Sequence, residues 1–329
     1  MTTTDTTVVP AGVSAAAGTK GLRPNPFKKF WPQYVAVAPF YILFLVFGLF
    51  PLLFSVYLSF TDWDGTGKIK FVGLTQYRYL VSDDRFWNAV GNTFAIWFIS
   101  TIPTLFLALV IAFLLHQNIR FKGFYRVAYF IPNVTSMVAM AIVFGSVFSD
   151  SFGLINSALT ALHLDQISWL SDPWGVKVTI AVMVIWRYTG YNAIIYLAGL
   201  QAIPTELYES ARVDGARMWQ IFTHVTVPML RPVILFTVIT STIGGLSLFT
   251  EPQVLLGDTG GPGEAGMTIV LYQYNQAFTQ FDFGYGSAIA WALFIIAAIF
   301  AAINWRLVSE REVDGQQIFR SRRRKGAVK

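Results

Sequence analysis

Six long apolar blocks constrain this 329-residue chain more than any other feature. They lie at about 34–60, 89–115, 127–148, 176–200, 232–256 and 284–308. Each reaches or exceeds the roughly 20 residues that a helix needs to cross about 30 Å of hydrocarbon. Pro39, Pro51, Pro103 and Pro132 fall inside them. Transmembrane helices tolerate proline because neighbouring helices re-satisfy the freed carbonyl. The expected fold class is therefore an all-α integral membrane protein with six transmembrane helices. No internal repeat is evident.

Composition agrees. Only 13% of residues are charged, against about 25% in soluble domains, and the missing charges are missing from the apolar blocks. There is no cysteine, so disulfides, thiolate metal sites and a cysteine nucleophile are excluded. The histidines, His116, His163 and His224, are scattered, so a His-rich metal site is not expected. No apolar h-region opens the chain, so a cleaved signal peptide is not expected either. Residues 1–30 read as a disordered cytoplasmic tail, 31–311 as the transmembrane domain and 312–329 as a basic cytoplasmic tail.

The net charge of +6 raises nucleic acid as a partner, but its distribution argues for a membrane. With both termini placed in the cytoplasm, 18 Lys and Arg fall inside and 5 outside, with Arg187 within a span. That is the asymmetry of topology determinants. Trp31, Tyr34 and Trp305 sit at span ends as interfacial anchors do. The tail Arg320–Lys325 fits attraction to anionic lipid.

The segment 201–232 between the fourth and fifth blocks is too long for a minimal turn. Pro204 can open a short helix whose N-terminal end suits Glu206 and Glu209. Gly215 fits a left-handed helix end, and a second short helix is expected from Ala216 until Pro228 and Pro232 redirect the chain. On physical grounds this is equally an amphipathic connector on the membrane or a docking element for a cytoplasmic protein.

Glu209-Ser210-Ala211, three residues, Gly215, nine residues and Val225-Thr226-Val227-Pro228 resemble the EAA motif of ABC importer permeases. Ser210, Val225 and Val227 stand where the motif usually has Ala, Ile and Leu. Phe54–Gly65, Phe71–Tyr77, Phe86–Thr93, Ala198–Pro204 and Gly260–Gly263 resemble the maltose-type sugar permeases in the same order, in particular the first of their two permease subunits. The resemblance runs from about Trp31 to Arg311. It implies a type I ABC importer permease fold. It also implies ATPase coupling through Glu209, Ser210, Ala211, Asp214, Gly215 and Pro228, and sugar import by alternating access in the bacterial cytoplasmic membrane. The implied partners are a second permease subunit, cytoplasmic ATPase subunits that bind ATP and Mg, and an extracytoplasmic sugar-binding protein. No cofactor and no nucleic acid are implied. A non-sugar solute such as a glycerol phosphodiester or a polyol is the alternative cargo within the family.

No G-x-x-x-x-G-K-[ST] loop is present, so ATP hydrolysis is expected on another subunit. Gly261–Gly266 spells G-x-G-x-x-G but contains Pro262 and lacks a surrounding βαβ unit; a flexible outer loop is expected there instead. Asn133-Val-Thr135 carries a glycosylation pattern within a span and is set aside. An autonomous secondary transporter or a membrane enzyme would leave the spaced Glu209…Gly215…Pro228 loop unexplained.

Polar groups within spans are costly and mark candidate sites. Arg187, Tyr188, Tyr191 and Asn192 share a face of the fourth span. Thr240, Gly244, Ser247 and Glu251 recur at i, i+4, i+7 and i+11 in the fifth. Two readings stay open: a substrate path, in which hydroxyls meet polar groups and aromatic rings, or helix packing through small residues with an Arg187–Glu251 bridge.

Overall fold

A computed structural model describes residues 26–117 and 120–326. The tail expected at 1–30 lies almost wholly outside them. The chain divides into two units, 1–53 and 54–329.

The first unit holds helix α1 (Pro26–Phe44), which widens into a π turn at Leu45–Leu49. Pro51 has no N–H to offer the Phe47 carbonyl, and the ladder shifts so that Phe50 N–H donates to Leu45 O. Helix α2 (Phe50–Leu58) carries the chain into the second unit. The apolar span comprises Phe30–Leu58.

In the second unit, a short hairpin of β1 (Thr61–Asp62) and β2 (Lys70–Phe71) pairs Thr61 with Phe71 and Asp62 with Lys70. Helix α3 (Thr75–Ser82) follows, and then α4 (Asp84–His116), the second span. Asp83 caps α4 by accepting from Arg85 N–H at 3.0 Å. The third apolar block is α5 (Lys122–Val134) plus α6 (Met137–Val147), and α7 (Leu154–Ala161) follows. The fourth span is α8 (Pro173–Gln201), opened by Asp172 accepting from Trp174 N–H and Gly175 N–H, with Pro173 in its first turn. The loop holds α9 (Thr205–Val213), α10 (Met218–Ile221) and α11 (Val227–Met229). The fifth block is α12 (Arg231–Leu246) and α13 (Thr250–Leu256). Helix α14 (Ile269–Tyr274) precedes α15 (Phe283–Gly326), whose apolar part is Phe283–Asn304.

Helices α4 and α8 form the spine. One face of α4 presents Ala108 and Ala112, buried against Ala193, Tyr196, Leu197 and Leu200 of α8. Lipid tails are as apolar as leucine, so small residues that let backbones approach, rather than burial of large ones, hold such pairs together. Phe98, Ile102 and Phe106 of α4 are exposed accordingly. Helix α5 crosses α8 at Gly190, where a Cβ would lie 1.6 Å from the Tyr129 carbonyl oxygen; only glycine fits there.

Three expectations require correction. The third block is not one helix: α5 and α6 are bent by 94°. Pro132 removes one helical N–H near the bend, Thr135 and Ser136 are extended (ψ 140° and 132°), and Arg187 Nη1 donates to the freed Thr135 carbonyl at 2.9 Å. The fifth block breaks at Ser247–Phe249, so the stripe ending in Ser247 and Glu251 does not continue along one helix. The Gly-rich segment after α13 folds back: Met267, Ile269, Leu271 and Tyr272 are buried, and Asn92 Nδ2 of α4 donates to the carbonyls of Glu264 and Met267. Helix α15 continues through residues 312–326, the described part of the basic tail.

Candidate functional site

Two places bring the singled-out residues together. The first is the end of the bundle where the C-termini of α4 and α8 meet the N-terminus of α12. Helix α9 starts after Pro204 and ends at Val213, two residues before Gly215, whose φ of +73° is the left-handed conformation that glycine adopts freely. The second short helix begins at Met218, two residues later than the sequence suggested, because Gln220 Oε1 accepts from Arg217 N–H and sets the start there. The loop is not a loose connector. Tyr208 is buried, its ring lies 5.7 Å from that of His116 on α4, and its hydroxyl is 3.4 Å from Thr226 Oγ1. Ala211, Ala216 and Val225 pack on the α4–α8 core. Glu209, Ser210, Asp214, Gly215 and Pro228 are exposed. Glu209 lines a hollow of about 370 Å³ with His116, Gln117, Thr205, Arg212 and Met218. The loop thus has an inner face anchored on α4 and α8 and an outer face that exposes Glu209, Arg212 and Asp214. Tyr208 was missed in the sequence; its position one residue before Glu209 on an amphipathic helix was the available signal.

The second place is a cavity of about 240 Å³ walled by three helices. Helix α8 contributes Val184, Tyr188, Tyr191 and Asn192. Helix α12 contributes Thr240, Ser241, Gly244 and Gly245, with Leu248 beyond it. Helix α4 contributes Thr101 and Thr104, which the sequence reading passed over. Five of the eight residues singled out for a polar path line this space. Arg187 does not, since its guanidinium is at the α5–α6 break and 5.8 Å from the Tyr188 ring centre. Ser247 and Glu251 are not in the lining either. Glu251 is buried and accepts from the Tyr188 hydroxyl at 3.4 Å. Among the described residues the ion pair is Arg85–Glu264, so the Arg187–Glu251 bridge is not formed.

Among the described residues no charged side chain lines the cavity. Its groups are hydroxyls, the Asn192 amide and two tyrosine rings. Tyr191 is 46% exposed, and a Cβ at Gly244 would meet no heavy atom within 4 Å. Such a surface offers hydrogen bonds and flat apolar area to a neutral polyhydroxylated molecule.

At the opposite end of α4, Asp83 ties that helix to α14 and α15. It accepts from Tyr272 Oη of α14 at 2.6 Å and Tyr285 Oη of α15 at 2.5 Å. Burial opposes its ionisation, but the two tyrosines and the N–H groups of Arg85 and Phe86 outweigh burial and keep the carboxyl below its ordinary value. Burial and the bonded Asp83 push the Tyr272 phenol upward, so it remains a donor. Beside it, Arg85 makes a two-pronged bond to Glu264, at 2.5 and 3.3 Å.

A family model described as "Binding-protein-dependent transport system inner membrane component" matches residues 92–314. The chain is 39% identical over 285 residues to the lactose transport system permease protein LacF of Rhizobium radiobacter, covering 85% of this chain and 94% of that one. It is 33% identical over 305 residues to the arabinooligosaccharides transport system permease protein AraP of Bacillus subtilis, covering 92% and 96%. A bacterial alginate ABC transporter, solved in complex with an alginate pentasaccharide-bound periplasmic protein, shares the fold. Its TM-score is 0.75 at 23% identity, over 85% of this chain and 94% of that one.

Proposed function

This chain belongs to the binding-protein-dependent transport inner-membrane family, among its carbohydrate ABC importer permeases, and on that premise we propose that it imports a neutral di- or oligosaccharide by alternating access. It is a multi-pass inner-membrane transport component with the type I importer permease fold. In the proposed assembly it is the first of two permease subunits. A separate ATPase subunit hydrolyses ATP and docks on Glu209 and its neighbours, and an extracytoplasmic binding protein delivers the sugar. Both termini lie in the cytoplasm in this arrangement, as the Lys and Arg asymmetry supports.

The observation that carries the reading is connectivity. Helices α8 and α12 wall the uncharged cavity, and the only chain between them is the anchored α9–α11 loop. Displacing that loop pulls on both walls. A volume of 240 Å³ is below the roughly 300–1,000 Å³ of ordinary ligand pockets, which suits one half of a site completed by a second subunit. A glycerol phosphodiester would call for a cation in the lining. The described residues supply none there, and Arg187 is engaged elsewhere.

The chain contains no cysteine, so single thiols can be introduced cleanly. Cysteines replacing Tyr191 and Thr240 should react with a small polar thiol reagent in the assembled transporter, at rates that change when the sugar-loaded binding protein is added. A cysteine at exposed Phe106, on an apolar face of α4 outside the cavity, serves as control. Inert thiols at both cavity positions would refute the path and leave a packing surface.

A further inference from the structure

We propose that Thr104 of α4 contacts the transported saccharide through its hydroxyl, so that α4 is a third recognition wall beside α8 and α12. The inference rests on the saccharide path proposed above and extends it to a helix outside the coupling loop.

The argument begins with what threonine does in a helix. Its hydroxyl ordinarily donates to a carbonyl three or four residues back. Thr93, Thr189, Thr237, Thr240 and Thr242 all do so, to Ala89, Ile185, Ile234, Phe236 and Val238. Thr104 does not. It is 3% exposed, and its Oγ1 has no hydrogen-bond partner among the described residues. In hydrocarbon there is no water to satisfy such a group, and a buried hydroxyl left without a partner is a standing cost to the fold. Valine would fill the same volume without that cost.

The position of the orphan is what gives it meaning. Thr104 lines the same cavity as Tyr191 and Asn192, with Thr101 one turn earlier on α4. A hydroxyl both donates and accepts, as each hydroxyl of a sugar does, so the pair can bond in either sense. Occupation of the cavity by a polyol ring then relieves the unmet group, and the energy of that bond appears only when substrate is present. Its Oγ1 is covered in this conformation, so the bond forms as the walls move apart.

The test uses the complete transporter with its binding protein in proteoliposomes, and radiolabelled lactose, raffinose and arabinotriose as probes. Thr104→Val should raise the KM for the accumulated sugar about tenfold, equivalent to about 1.4 kcal/mol, with kcat changed less than twofold. Thr104→Ser should restore the wild-type KM. Thermal stability of Thr104→Val should equal or exceed wild type, because no internal bond is removed. Thr179→Val, which deletes a buried unpartnered hydroxyl outside the cavity, should leave KM unchanged. A wild-type KM in Thr104→Val alongside an impaired Tyr191→Ala would overturn the role of Thr104 while sparing the path. A Thr104→Val complex that melts early or does not assemble would also overturn it, by revealing a structural bond. Wild-type behaviour of both variants, or accumulation of none of the three sugars by the wild-type transporter, would instead refute the saccharide path beneath it.

Discussion

Gly190→Ala is the substitution whose effect can be worked most directly from the structure. The added Cβ would lie 1.6 Å from the Tyr129 carbonyl oxygen and 2.5 Å from its carbon. A carbon–oxygen contact settles at about 3.3 Å or more, so α5 must retreat from α8 by roughly 1.5–2 Å. The obstacle is backbone, and no rotamer change relieves it. The retreat also pulls Thr135 away from Arg187, whose bond at 2.9 Å cannot survive such a shift. Overpacking costs about 1–3 kcal/mol, and losing a bond from a charged donor about 1.5–3 kcal/mol. Alanine returns about 0.5–1 kcal/mol through better helix propensity. The net loss is about 2–5 kcal/mol, enough to lower the melting midpoint of the detergent-solubilised protein by roughly 3–7 °C. The measurement is a thermal-aggregation profile of wild type, Gly190→Ala and Gly190→Ala/Tyr129→Ala. The double variant should be no better than the single, since truncating a side chain leaves the carbonyl in place. A Gly190→Ala protein that melts with wild type would refute the close crossing and, with it, the account of the α5–α6 break.

Gly244→Leu should show the opposite pattern: normal or raised thermal stability, because a Cβ there meets nothing within 4 Å, but uptake reduced at least tenfold as the cavity fills. Full uptake would show that substrate passes elsewhere. Glu209→Lys should abolish uptake and ATPase co-purification while the protein still inserts, since a reversed charge at a docked interface costs several kcal/mol; normal coupling would contradict docking there. Asp83→Asn should destabilise the protein by about 1.5–3 kcal/mol at neutral pH. The native carboxyl titrates below its ordinary value of 3.8, so its contribution is fully present above that value and is lost as pH falls through the lower native one. Stability of wild type and variant, measured by thermal aggregation from pH 7 to pH 3, should therefore converge in acid. A gap that persists unchanged at pH 3 would refute the ionised clasp.

What the sequence determined by itself was whatever depends on residues near one another in the chain. Length and apolarity made the spans legible to within a few residues, because a bilayer sorts segments by hydropathy alone. Pro204 and Gly215 bounded α9 through local backbone preferences, and the fourth-span face held Tyr188, Tyr191 and Asn192 at helical spacing. Tertiary structure decided the rest. The stripe Thr240–Gly244–Ser247–Glu251 assumed one helix, and the turn at Ser247–Phe249 ended it. Arg187 looked like a cavity group from its own helix, yet its partner is a carbonyl 52 residues away that exists only because another span is broken. Thr101 and Thr104 stood in an apolar block with nothing local to distinguish them from packing threonines. They became a cavity wall only when α4 was laid beside α8 and α12. Helix periodicity tells which residues share a face; what lies against that face is set by contacts between segments distant in the chain, and no window of sequence contains them.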